Sequence, residues 1–276
     1  MEQVLKTMLE NVRAKSPLVH NITNYVTVND VANVLLAAGG SPIMSDDADD
    51  VEDITSICGG LNINIGTLNK NTIPSMFLAG KKANALGHIV LLDPVGAGAS
   101  RLRTDTANRL MQEVRFDAVR GNISEIKTLC TGSGSTKGVD ADAVDAVTEA
   151  NLDNGVQLVK TFAAQTGCII AVTGAIDLVS DGARCWCIRN GRAEMSRITG
   201  TGCQLSALMT AFLVANPDRK LDAAAAAVCM MGLAGEIGWA NMQPGDGNST
   251  YRNRIIDAIF NMTGDALEEG AKYELR

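Results

Sequence analysis

Aromatic side chains make up only 4% of this 276-residue chain, so its core has to be built mainly from Ala, Val, Ile, Leu and Met. Histidine is scarcer still: His20 and His88 are the only two, which argues against a structural zinc site. No Cys-x-x-Cys occurs among the seven cysteines, Cys58, Cys130, Cys168, Cys185, Cys187, Cys203 and Cys229. An odd count, with most members inside apolar segments, reads as buried free thiols in a reducing compartment. Lys and Arg form no long cluster and the net charge is −7, which speaks against nucleic acid as a partner. No signal peptide is evident, since Met1–Lys15 reads as an amphipathic helix of mixed charge. The longest nearly apolar stretch, Ala223–Ala234, is too short and too rich in Ala to cross a bilayer. The expectation is a soluble cytoplasmic protein with no membrane partner.

What is present is an ample core, 46% hydrophobic, laid out in alternating patterns. Leu61–Ile65, Ile89–Leu92, Asp117–Val119 and Ile169–Val172 read as strands. Val28–Ala38, Thr72–Leu86, Thr104–Val114 and Val144–Gln165 read as helices between and around them. Such alternation indicates βαβ units and a parallel sheet. Ile176–Val179 and Ala183–Ile188 read as a meander about Ser180-Asp181-Gly182, with both thiols of Cys185-Trp186-Cys187 on one face. A second turn at Asn190-Gly191 leads into an expected strand ending at Ile198. The last third is helical, over Gln204–Val214, Leu221–Met242 and Tyr251–Thr263. No repeat or linker divides the chain, so residues 1–276 are read as one doubly wound α/β domain.

Thr199-Gly200-Thr201-Gly202-Cys203 lies where the chain passes from that β-like segment into an apolar helix. Two glycines there let backbone N–H groups converge, and the helix dipole adds positive potential, so Gly200, Thr201 and Gly202 form a candidate anion hole. Cys203 stands at its mouth, where the thiol pKa is expected to be lowered. The competing reading is a Gly-rich connection beside a buried Cys. Asp93 ends the run Ile89-Val90-Leu91-Leu92 and precedes Pro94. It is either a metal or substrate carboxylate at the carboxyl end of a strand or a turn residue. Asn122 with Glu125 three residues on is the pattern of a capping box, and the same geometry suits hydrated Mg²⁺ on nucleotide phosphates, with Arg120 near them. Thr173-Gly174 closes another strand and suits a nucleotide contact. Met44, after the expected turn Ser41-Pro42-Ile43, is either a core residue or a pocket wall. The segment His20–Asn24 offers polar groups before a helix whose expected N-cap is Thr27. Gly132–Gly138 lacks the order of a phosphate loop and reads as a flexible connection, and no Gly-x-Gly-x-x-Gly opens a helix after the first strand.

Taken together, Asp93–Gly98, Arg120-Gly121-Asn122 with Glu125, Thr173-Gly174 and Gly200–Cys203 resemble, in order and spacing, the hydroxyethylthiazole kinases of thiamine synthesis and salvage. Ser16–Asn24 and Asn64–Leu68 match as well, so the likeness runs from about Ser16 to Phe212. The resemblance implies a ribokinase-like, three-layer α/β/α fold with a mostly parallel sheet flanked by helices. It implies ATP-dependent phosphorylation of the hydroxyl of 4-methyl-5-(2-hydroxyethyl)thiazole. Carried over, Asp93 and Glu125 belong to a Mg²⁺–phosphate network, and Arg120 and Thr173 contact ATP, with Asn122 beside them. Met44 and Gly200 contact the thiazole, with Asn24 as a polar partner. Cys203 stands where most ribokinase-like kinases place an Asp base. A homotrimer with sites at subunit interfaces is implied too. Pro244–Tyr251 departs from the Gly-Pro-Gly pattern common in the family and receives no ligand role. The alternatives are a ribokinase-like dehydratase of hydrated nicotinamide nucleotides, which would carry a carboxylate in place of Cys203, and a kinase for another alcohol such as hydroxymethylpyrimidine. A nucleotide-binding sensor without turnover is the remaining rival.

Overall fold

Ile89 and Leu91 pack into one apolar cluster, while Val90 and Leu92 pack into another. Successive side chains of a strand point to opposite faces, and a strand buried on both faces needs helices above and below it. The structure, a computed structural model that describes residues 3–131 and 146–276, has that arrangement. Its first half runs α1 (Val4–Lys15), β1 (Leu18–Ile22), α2 (Val28–Ala38), β2 (Ser41–Met44), α3 (Val51–Ile57), β3 (Gly60–Asn64), α4 (Thr72–Leu86) and β4 (Ile89–Asp93). It continues through α5 (Arg101–Glu113), β5 (Ala118–Asn122), α6 (Ile123–Thr131), α7 (Leu152–Thr166), β6 (Ile169–Thr173), β7 (Asp177–Ser180) and β8 (Cys185–Ile188). The remainder is α8 (Thr201–Ala215), α9 (Lys220–Ala240), α10 (Asn248–Asn261), α11 (Gly264–Gly270) and β9 (Tyr273–Leu275).

Among the described residues, nine strands form one sheet in the order β2-β1-β3-β4-β5-β6-β7-β8-β9. The five pairings from β2 to β6 are parallel, and the three from β6 to β9 are antiparallel. One face carries α1 and α8 to α11 around Phe212, Met230 and Tyr251. The other carries α4 to α7 around Phe77, Phe116 and Phe162. This is the three-layer, mostly parallel architecture expected from the resemblance. With few aromatics, close helix packing comes from small residues: Ala223 to Ala227 of α9 are all fully buried. At Gly60 a Cβ would press on Val214 and Thr210 of α8, so glycine sets how near that helix lies to the sheet.

Several expectations are corrected. Arg192–Ile198 is not a strand, because residues Ala193–Arg197 form a 3₁₀ turn. The free edge of β8 is taken by β9, so a strand leaving Asn190 cannot pair with β8 as a continuing meander would. Ser41-Pro42-Ile43 is a strand rather than a turn, and it pairs with β1 at the sheet edge, where a Pro without an N–H is tolerated. The helix expected from Val144 begins at Leu152, after a 3₁₀ turn capped by Thr148 and Asn151. Residue 144 itself and the loop Gly132–Gly138 lie outside the described residues. Thr27 is the N-cap of α2, but its side chain does not cap it. Its hydroxyl donates instead to Asn24 Oδ1 at 3.0 Å. The segment containing α9 is long and apolar enough by composition to cross a membrane, yet 78% of its apolar window is buried inside the fold.

Candidate active site

Strand parity gathers the site. Ile89 and Leu91 face α8 and α9, so Asp93 faces that way too. The same count from Ala118 turns Arg120 toward α8, and from Ile169 and Ala171 it turns Thr173 there. In β3, Leu61 and Ile63 take the other face, which leaves Asn62 and Asn64 beneath α8. Asn64 and Asp93 are direct neighbours across β3 and β4, as are Asn122 and Thr173 across β5 and β6. All stand at the carboxyl ends of parallel strands, where such sheets bind ligands. The strand order reverses between β1 and β3, and Asn24 follows β1 at that crevice.

The side chains form one connected network. Asn24 Nδ2 donates to Cys203 Sγ at 3.1 Å and to Asn64 Oδ1 at 3.2 Å. Asn64 Nδ2 donates to Asp93 Oδ2 at 2.7 Å, and Ser206 Oγ donates to the same oxygen at 2.8 Å. Asp93 Oδ1 is buried without a hydrogen-bond donor, 3.8 Å from Arg120 Nη1. Arg120 also donates to the Thr173 hydroxyl. Burial pushes the Asp93 carboxyl up, against the pull of Arg120, Ser206 and Asn64.

The glycine loop becomes the first turn of α8, which starts at Thr201, earlier than its apolar pattern suggests. Gly200 is the N-cap, at φ 86°. A Cβ at Gly200 would collide with Thr27, and one at Gly202 with the Arg120 guanidinium. The first intrahelical bond is Gln204 N–H to Gly200 O at 2.9 Å, so the N–H groups just before it have no acceptor within the helix. Free donors, the positive helix end and a guanidinium lying against Gly202 meet in one place. The combination is suited to an anion.

Asn122 and Glu125 do form the capping box: Glu125 N–H donates to Asn122 Oδ1 at 2.9 Å, and Asn122 N–H to Glu125 Oε2 at 2.8 Å. Glu125 Oε1 accepts the Gly96 N–H at 2.7 Å, which ties α6 to the turn after β4. Burial first, then the charge of Asp93, push the Glu125 carboxyl up to about 7. Two mutually repelling carboxyls, one with a buried oxygen lacking any donor, are a hard oxygen set that suits Mg²⁺ with its retained waters. The Cys203 thiol corrects its expectation. It is raised, not lowered, because burial dominates and Asp93 adds to it, outweighing Arg120 and the two asparagine contacts.

Cys203 also packs with Val19, Val31, Leu35, Ala207 and Ala211, against which the half-buried Met44 rests. Met44 and Cys203 therefore share an apolar wall. Asn24 is 5% exposed, and its amide is engaged by Thr27, Asn64 and Cys203. Sequence reasoning assigned no role to Asn64, Ser206 or Asp177. Parity from Leu61 marks Asn64, and the helical spacing from Cys203 marks Ser206. Asp177 accepts the Gly174 N–H at 2.8 Å, and burial pushes its carboxyl to about 7. No sequence pattern marks it.

Comparison with known proteins identifies the family and the fold. The model of the hydroxyethylthiazole kinase family matches residues 9–265. A hydroxyethylthiazole kinase of Clostridium acetobutylicum is 58% identical over 271 residues, covering 98% of this chain and 99% of that protein. The solved structure of hydroxyethylthiazole kinase protein from Pyrococcus horikoshii OT3 superposes with a TM-score of 0.87 at 32% identity, covering 99% of this chain and 98% of that one. A pyridoxal kinase from Staphylococcus aureus, solved with ADP, shares the fold at a TM-score of 0.61 and 14% identity, over 94% of this chain and 97% of that one. With polar strand ends converging under a glycine-capped helix, and a family match over nearly its whole length, this chain belongs to the hydroxyethylthiazole kinase family.

Proposed function

We propose that this chain transfers the γ-phosphoryl group of ATP to the primary hydroxyl of 4-methyl-5-(2-hydroxyethyl)thiazole, in thiamine synthesis and salvage. The observation that carries this reading is the juxtaposition, under the N-terminus of α8, of Asp93 and Arg120 with the Cys203–Met44 apolar wall. Phosphoryl transfer is mostly positioning and charge stabilisation. Gly200, Thr201 and Gly202 receive the transferred phosphoryl group on backbone N–H groups. Arg120 and Thr173, already joined by a hydrogen bond, bind the nucleotide phosphates, with Asn122 at the neighbouring strand end. Asp93 and Glu125 hold Mg²⁺, which when bound neutralises phosphate charge. Met44 and Gly200 bound the ring, and Asn24 holds Cys203 in place. The hydroxyl oxygen attacks the γ-phosphorus as the bond to ADP breaks, and the hydroxyl proton passes to an oxygen of the transferred phosphoryl group. Cys203 orients that hydroxyl, since acting as a base requires prior loss of its own proton, which burial opposes.

A homotrimer fits the same reading. Met44 ends the edge strand β2, and Tyr25 and Val26, 77% and 57% exposed, stand beside the crevice. A neighbouring subunit would complete the ring pocket there.

The test is competition between alcohols. A ribose or fructose presents several hydroxyls, each left unpaired costing about 1–3 kcal/mol, and Met44, Gly200 and Cys203 offer them few partners. Preference for the thiazole alcohol by ~10³-fold or more in kcat/KM is expected. Comparable phosphorylation of ribose or hydroxymethylpyrimidine overturns the substrate assignment. Phosphate released from ATP, with none on the alcohol, overturns the kinase reading in favour of the dehydratase.

A further inference from the structure

Asn64 is 1% exposed, and every polar atom of its side chain is engaged by a neighbouring residue. The direction of its amide is dictated locally. The Gly66 backbone N–H lies 2.9 Å from one terminal atom, and an N–H can only donate, so that atom is the oxygen. The amino group is thereby aimed at Asp93 Oδ2, 2.7 Å away. Asn24 is pinned in the same way. The Thr27 N–H at 3.2 Å identifies its oxygen, which leaves its two N–H bonds for Asn64 Oδ1 and Cys203 Sγ. With Asn64 and Ser206 both on Asp93 Oδ2, the other oxygen is turned toward Arg120.

We propose that Asn64 is a positioning residue for phosphoryl transfer, whose amide sets the orientation of Asp93 and, through Asn24, the placement of Cys203. One buried side chain thus holds the phosphate side and the hydroxyl side of the reaction in register. The proposal rests on the kinase reading and adds a residue that acts through Asp93 and Asn24. It follows from hydrogen-bond direction along the chain Thr27, Asn24, Asn64, Asp93, Ser206. Glycine at position 66 is part of the device, because a Cβ there would lie 2.9 Å from Asn64 Oδ1 and 3.0 Å from Asn24 Cβ.

The test is a double-mutant cycle between positions 64 and 93, read on kcat and KM separately. Asn64→Asp is nearly isosteric and still accepts from Gly66 and Asn24, but above the pH at which the two carboxyls share a proton it has nothing to donate to Asp93, so the cycle is read at alkaline pH. The substitution is expected to lower kcat about tenfold or more, with KM for alcohol and ATP changed less than about threefold. In a background already carrying Asp93→Asn, the same substitution is expected to cost less than about twofold, because the carboxylate introduced at position 64 can accept from the amide introduced at position 93. Crystal structures add a readout independent of turnover. In the Asn64→Asp protein the Asp93 carboxylate should leave its Ser206-bonded orientation, and in the doubly exchanged protein the 64–93 hydrogen bond should re-form with donor and acceptor reversed. A kcat within twofold of wild type, an equal loss in both backgrounds, or an unmoved Asp93 overturns the proposal. Wild-type failure on the thiazole alcohol instead overturns the substrate assignment, and the cycle is then measured on ATP hydrolysis.

Discussion

Glu125 shows how one residue serves structure and chemistry together. Its two oxygens accept the Gly96 and Asn122 N–H groups, and its carboxyl is pushed from 4.5 to about 7 by burial and by Asp93. A raised folded-state pKa means that the folded chain holds a proton which the unfolded chain has released. The stability contributed by this group is therefore fully present below about pH 4.5 and lost as the pH rises through about 7. The loss is on the order of 3 kcal/mol. Without divalent cation, the melting-temperature difference between wild type and Glu125→Gln should shrink from pH 5 to pH 8, since only the wild type meets this cost. The same variant should lower turnover on the order of 10²-fold and raise the Mg²⁺ requirement. A constant melting difference together with normal Mg²⁺ dependence would leave Glu125 as a helix cap only. The capping box was legible in the spacing of Asn122 and Glu125. The pKa was not, because it depends on burial and on Asp93, more than thirty positions away in the chain.

At the scale of the element, the N-terminus of α8 separates two uses of glycine. Gly200 sits at φ 86° against Thr27, both fixed features of the backbone and of a β-branched side chain. Gly200→Ala should therefore destabilise the fold, by about 1–3 kcal/mol in urea unfolding, since a side chain is strained in that region. Gly202 is helical, and its obstacle is the far end of Arg120, a long side chain able to move. Gly202→Ala should leave the unfolding midpoint close to wild type and raise KM for ATP by about tenfold, as Arg120 is displaced from Thr173 and Asp93. If Gly202→Ala unfolds the protein, or leaves KM for ATP unchanged, Arg120 is not the neighbour that matters. The two glycines were visible as a turn motif in the sequence. That they answer to different neighbours required the packing of β5 and α2 against the same helix end.

At the scale of the whole molecule, β2 is one of the two edges of the sheet among the described residues, and it carries Met44, with the exposed Tyr25 and Val26 following β1. An exposed sheet edge beside apolar side chains is a surface that proteins usually cover. Light scattering on the purified protein should give three times the chain mass, and Tyr25→Ala should weaken assembly and raise KM for the alcohol more than for ATP. A fully active monomer would remove the shared-pocket arrangement while leaving the chemistry under α8 intact.

Alternation along strands and the 3.6-residue period along helices are properties of the local chain. They were enough to assign Val28–Ala38 and Thr72–Leu86 to their helices and to place Asp93, Arg120 and Thr173 near strand ends. The sequence by itself also carried the motif order that identifies the family. Tertiary structure decided what depends on neighbours remote in the chain. Ser41–Met44 is a strand because β1 lies beside it, and Ala193–Arg197 is not one because β9 already occupies the edge of β8. The Cys203 thiol is raised because burial, with the Asp93 charge added, outweighs the Arg120 charge and the two asparagine contacts. Desolvation is a sum over everything that surrounds a group, and that surrounding exists only once the strands and helices have come together.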